Sequence, residues 1–178
     1  MRAIRYGFVS AMLVAAAPLL AQAPTPGPEV KKLEVWVGTW TYEGDAKATP
    51  LGPAAKVSGT ETGRMIMGGF GLEWKGEEKG VFGAIQWSET DVYDTATKTY
   101  PYFGVQSDGA LWSGSNTIVG NVWKGTGTQT VKGVTYRARG EATMAADGKS
   151  WAQKVELSTD GKTWMPWMEL KITKSARP

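Results

Sequence analysis

The chain has 178 residues, with 20 Lys or Arg against 17 Asp or Glu, and contains neither His nor Cys. Without those two types there is no Ser-His-Asp or Cys-His nucleophile system, no zinc held by His or Cys, and no haem ligated by either. Catalysis is left with carboxylate, Tyr, Lys and Arg chemistry, and metal binding with hard oxygen ligands.

Arg2 and Arg5 precede an apolar run from Phe8 to Leu20 that ends in Ala21-Gln22-Ala23. A charged start, a short apolar stretch and small residues before a break describe a secretory signal peptide. The run is too short for a permanent bilayer-spanning helix, and Pro24, Pro26 and Pro28 follow at once. Residues 1–23 are therefore read as a signal peptide cleaved near Ala23, and the product as periplasmic or secreted. No Cys follows for a lipid anchor, and no stable membrane insertion is expected. Removal of residues 1–23 takes away two basic residues and no acidic ones, leaving 155 residues with a net charge of +1. A surface so balanced has no basic stripe for nucleic acid or anionic lipid, and a chain of this length fits one domain.

Residues 24–37 form a Pro-rich lead and one short helix, with Pro28 at its start and Val30, Leu33 and Trp36 apolar. Residues 38–175 are read as a single β domain. Its turn signals are Asp108-Gly109, Gly120-Asn121, Lys132-Gly133, Asp147-Gly148 and Asp160-Gly161, pairs that tolerate positive φ and join neighbouring strands directly. Val134, Tyr136, Ala138, Ala142 and Met144 alternate with Thr135, Arg137, Arg139, Glu141 and Thr143, the pattern of a sheet with one buried and one wet face. Ten strands are expected at 38–48, 54–62, 64–75, 80–90, 98–107, 110–118, 121–131, 133–145, 150–158 and 162–174. An open meander of that size leaves two long edges, so closure into an antiparallel up-and-down β-barrel is expected, with a sandwich as the alternative.

Gly38-Thr39-Trp40, directly after the helix, resembles the Gly-x-Trp signature of the calycin group. A wider set covers nearly all of the chain after residue 23: Gly59-Thr60-Glu61, Met67-Gly68-Gly69-Phe70, Tyr93-Asp94 and Lys98-Thr99-Tyr100, and Ser158-Thr159-Asp160-Gly161-Lys162-Thr163-Trp164. Together they resemble the domain-of-unknown-function 1579 family of exported bacterial proteins. The resemblance implies a calycin-like barrel and no established activity. A nitrobindin-like relative would hold haem through His, which is missing here, and an avidin-like one would have eight strands in a shorter chain; no cofactor is expected. In lipocalins a basic residue on the last strand closes off the signature Trp, a structural role that Lys171 or Lys174 would fill for Gly38 and Trp40.

Ser158 to Trp164 also looks like the Asp-box of sialidase-type propellers, with Asp147 to Trp151 a fainter echo. The chain is too short for a propeller, and its Asp and Gly are adjacent, so the segment is read as a hairpin stabiliser.

Of the nine Trp, Trp74, Trp87, Trp112, Trp123, Trp151, Trp164 and Trp167 fall on expected strands. They either fill the core or line a cavity for an apolar or aromatic molecule. Gly104, Gly114, Gly125, Gly127 and Gly140 add no side chain to the wall, which favours a hollow. Candidate ligand contacts are Arg64, Trp74, Trp87, Tyr102, Trp112, Trp123, Arg137 and Arg139. Arg137, Arg139 and Glu141 share a strand face; they form a solvated row if Tyr136 faces the core, and a carboxylate anchor if it does not. The leading function is a non-catalytic binding barrel for a small apolar or amphipathic molecule. The alternatives are a lyase- or isomerase-type barrel enzyme using Tyr102 or Tyr136 with Glu141 or Glu73, and an interaction module with a filled core.

Overall fold

The computed structural model describes residues 24–175, so the segment read as a signal peptide lies outside the described residues. One helical turn, α1 (Pro28–Lys31), runs on as a 3-10 turn over Lys32–Trp36. Pro28 supplies a helical φ where the N–H would go unused, and Glu29 in the first turn complements the helix dipole. Val30, Leu33 and Trp36, three residues apart, are the buried ones, and they point at the end of the barrel.

Ten strands follow: β1 (Gly38–Ala46), β2 (Ala55–Ile66), β3 (Gly71–Gly80), β4 (Gly83–Val92), β5 (Tyr100–Gln106), β6 (Leu111–Val119), β7 (Val122–Val131), β8 (Val134–Met144), β9 (Ser150–Ser158) and β10 (Met165–Lys174). Each is antiparallel to the next, and β1 pairs with β10, so the sheet is a closed barrel without an edge. Inward and outward residues alternate along the strands, with an irregularity between Pro166 and Met168 on β10. On β1 Trp40, Tyr42 and Ala46 are buried while Thr39, Thr41 and Glu43 are exposed; on β8 Tyr136 and Met144 are buried while Thr135, Arg137, Arg139, Glu141 and Thr143 are exposed. No helix among the described residues is long and apolar enough to cross a membrane.

The five turn signals all fall between strands, and Lys132 and Gly133 both take positive φ in a two-residue hairpin. The boundary expected at residue 63 is corrected, because β2 runs on through Gly63 to Ile66 and the chain turns at Met67–Gly69. Gly63 serves close approach, not turning: a Cβ there would lie 2.5 Å from the Trp36 carbonyl oxygen and 3.2 Å from the Trp74 ring. β3 accordingly ends at Gly80 and β4 starts at Gly83.

Asp160 binds its own hairpin, as the motif suggested. Its carboxylate accepts hydrogen bonds from the Lys162 and Thr163 amides at 2.7 and 2.8 Å and from the Ser158 hydroxyl at 2.9 Å, which hold its pKa down to about 2. Of the two nearby tryptophans, Trp167 is buried inside, whereas Trp164 lies outside with the Arg139 guanidinium 4.3 Å over its ring.

Two apolar layers cap the interior. At the helix end Val30, Leu33, Trp36, Trp40, Leu72 and Tyr100 pack together; the other cluster is Tyr136, Leu157 and Trp167, with Leu51 and Phe82 against it. Trp40 is fully buried, donates from Nε1 to the Trp36 carbonyl at 2.9 Å, and stands opposite Lys174, whose Nζ lies 4.8 Å over its ring. Lys174, not Lys171, is thus the closing cation. Gly38, at φ 135°, leaves room for it, since a Cβ would come within 2.7 Å of Lys174 Cε. Trp40→Ala is expected to destabilise the barrel by about 3–5 kcal/mol, as large aromatic truncations in cores do, which urea denaturation will measure.

Candidate functional site

Between the two caps the barrel wall surrounds a partly open cavity of about 270 Å³. Nine aromatic side chains contribute to its wall, and several of them lie against glycine on a neighbouring strand. Trp87 is opposite Gly76, Trp112 opposite Gly104, Tyr102 opposite Gly114 and Tyr42 opposite Gly59. A Cβ on Gly104 would lie 2.1 Å from the Trp112 ring and one on Gly76 would lie 2.4 Å from Trp87. Gly59, Gly76, Gly104 and Gly114 therefore make room for rings, whereas Gly125 and Gly140 line the cavity itself.

Facing the same space are four carboxylates: Glu61 on β2, Glu78 on β3, and Glu89 and Asp91 on β4. Three have aromatic donors. Trp74 Nε1 donates to Asp91 at 3.1 Å, Trp112 Nε1 donates to Glu89, and the Tyr42 hydroxyl donates to Glu78 at 3.2 Å while accepting from Trp87 Nε1 at 3.3 Å. Glu61 differs. It is 7% exposed, yet its Oε1 has no hydrogen-bond partner. Unpartnered as well are Gln106 Oε1 and the indole nitrogens of Trp36, Trp151 and Trp167, all from cavity-lining residues.

Burial disfavours the charged form of each carboxyl. It pushes Glu61 up to about 8, with the charges of Glu89 and Glu78 adding to the effect. Asp91 stands well above the usual carboxylate range through burial and then the charge of Glu89. Glu89 and Glu78 are raised by burial against the lowering effect of their Trp112 and Tyr42 donors. The Tyr42 and Tyr102 phenols are raised in turn by burial and these acids. Among the described residues no group of three or more acids is arranged to hold a metal ion.

Of the candidate contacts read from the sequence, Trp74, Trp87, Tyr102, Trp112 and Trp123 line the cavity. Arg64, Arg137 and Arg139 do not point into it. Arg64 pairs with Glu73 at 2.5 Å and Arg139 with Glu156 at 2.6 Å on the outer face, and Arg137 is exposed on the same outward side of β8. The carboxylate-anchor alternative is corrected with them: Tyr136 faces inward, so alternation sends its neighbours out. The catalytic pairings fall apart for the same reason, since Glu73 is bound to Arg64 outside and Glu141 to Lys124 at 3.2 Å. Missed in the sequence were Glu61, Glu78, Glu89 and Asp91. A signal was present for two of them: Trp87, Glu89 and Asp91 are two residues apart, so an inward Trp87 carries both acids inward.

A family model described as a protein of unknown function, DUF1579, matches residues 25–174. The chain belongs to this family. No curated protein matches it. Among solved structures, the crystal structure of Rv2717c from M. tuberculosis is similar with a TM-score of 0.60 at 10% identity, over 84% of this chain and 99% of that one. At that identity the DUF1579 chain shares a fold with it.

The raised carboxyls have a consequence for stability. Folded Glu61 keeps its proton up to about pH 8, whereas in the unfolded chain it loses it near the ordinary value of 4.5. Between those values the folded state binds more protons, so stability is highest at the acid end of the window and falls as pH rises. The urea midpoint is expected to drop between about pH 5 and pH 8, and to drop less in Glu61→Gln. A midpoint that rises across this range contradicts the assignment.

Proposed function

We propose that this protein is an exported, non-catalytic barrel that binds one small apolar or amphipathic molecule. The observation that carries the reading is the cavity itself. Native interiors pack with few voids larger than water, whereas this barrel keeps about 270 Å³ open between its apolar caps. That is toward the small end of ligand sites, which run to roughly 300–1,000 Å³. A ring-lined wall with a few convergent polar atoms suits a molecule with an apolar body and a polar end. A filled interaction module is disfavoured by the same cavity.

One observation favours a second reading, proton transfer. Tyr102 is the register partner of Asp91, and a buried acid beside a phenol can hold and move a proton. Turnover separates the two readings: a carried molecule is recovered unchanged, a substrate is not.

Titration with a chemically varied panel of apolar and amphipathic molecules is expected to shift or quench Trp fluorescence, saturating at one equivalent for at least one compound. Weak, non-saturating changes across the panel indicate a plugged barrel and return the interaction module to first place. Export rests on the N-terminal sequence alone. Protein recovered from its native cells is expected to begin near residue 24, and an intact Met1 terminus argues against export.

A further inference from the structure

Resting on the binding-barrel reading, we infer that the ligand is a protonated primary or secondary amine on a small apolar body, anchored by Glu61. Charge bookkeeping inside the barrel points this way. Four carboxylates face the cavity, from β2, β3 and β4, and no Arg side chain among the described residues faces it. The Lys and Arg of the strands stand at outward positions, apart from Lys174, which is committed to the Trp40 ring at the closed end. Arg139 and Glu141 border the cavity beside Gly140, but their side chains are engaged outside by Glu156 and Lys124.

Within this acidic interior Glu61 has a defined deficiency. Asp91, Glu89 and Glu78 each accept a hydrogen bond from an indole or a phenol, whereas Glu61 Oε1, buried in the wall, accepts none. A ligand N–H that reaches the Glu61 carboxyl from its cavity side supplies a partner that the wall does not, and a charged donor does so better than a neutral one, because charge-assisted hydrogen bonds are the stronger ones. The ring faces of Trp87 and Trp112, 6.2 Å apart between centroids, supply apolar area and the negative π-surface that cations favour. A carboxylate ligand would find no inward-facing Lys or Arg to pair with in this wall. A quaternary ammonium has the charge and lacks the N–H.

The proton follows from the same arrangement. Glu61 faces Tyr42 from β1, Glu78 from β3 and Glu89 and Asp91 from β4, all acidic groups or phenols, and its proton is retained through neutral pH. When the ammonium docks, the carboxyl releases that proton and the carboxylate takes the N–H hydrogen bond. Binding therefore releases a proton and strengthens as pH rises towards the Glu61 pKa of about 8.

The test uses four probes of one size in isothermal titration with the purified protein: 2-phenylethylamine, 2-phenylethanol, 3-phenylpropionate and trimethyl(2-phenylethyl)ammonium. The amine is expected to bind with one equivalent, about tenfold or more tighter than the alcohol and the quaternary salt, with the carboxylate weakest. Glu61→Gln is expected to remove that preference, weakening the amine much more than the alcohol. The amine is also expected to bind more tightly at about pH 8 than at about pH 6, with heats that depend on buffer ionisation as a released proton requires. This last measurement needs no variant, so it stands whether or not Glu61→Gln folds. Alcohol or carboxylate binding as tight as the amine's overturns the charge inference and leaves the binding barrel intact. Failure of all four probes, together with the wider panel, overturns the binding barrel itself.

Discussion

A ring can lie flat against a barrel wall only where the strand beside it carries no side chain, and the interior of this protein depends on that constraint. Tyr42, Trp74, Trp87, Tyr102 and Trp112 each face a glycine across a strand pair. Five large rings are thus accommodated along the wall instead of crossing the middle. The helix end is filled differently, by Trp36 edge-on to Trp123 and Trp151 at centroid separations of 5.0 and 4.9 Å. Flat rings in the middle and edge-packed rings at the end leave the cavity between them.

The wall rings are also the reason buried acids are tolerated. An ionised carboxyl far from any cation is expensive to bury, and a neutral one still wants a partner. Indole N–H groups and phenols provide those partners to Asp91, Glu89 and Glu78. Packing and electrostatics are therefore one arrangement: the glycine that admits Trp112 places an indole donor within reach of Glu89. Glu61 stands beside this network without a share in it.

Much of the fold was legible because alternation and turn chemistry are local. Lys132-Gly133 and Gly120-Asn121 mark hairpins whatever the rest of the chain does, and Val134 to Met144 shows its wet and dry faces within one strand. The site was less legible, since the faces of most strands carry polar residues on both sides. On β3 the inward positions Trp74, Gly76 and Glu78 alternate with outward Glu73, Lys75 and Glu77, and no local contrast identifies which Glu is inside. Arginine drew attention as a ligand anchor, although long basic side chains reach water readily, and here Arg64, Arg137 and Arg139 do so on the outer face.

By itself the sequence determined the antiparallel all-β architecture, the helical lid and the Gly38–Trp40 corner, because period-2 alternation, Asp-Gly turns and a Pro-initiated helix are properties of neighbouring residues, whereas closure through the β1–β10 pair is not. It also determined that no His or Cys chemistry operates here. Only the tertiary structure decided which glycines turn the chain and which receive a ring, that Lys174 closes over Trp40, and that Glu61, Glu78, Glu89 and Asp91 meet in one cavity. Those outcomes depend on cross-strand register, which brings together residues as distant as Trp40 and Lys174, and register is set by closure of the whole barrel.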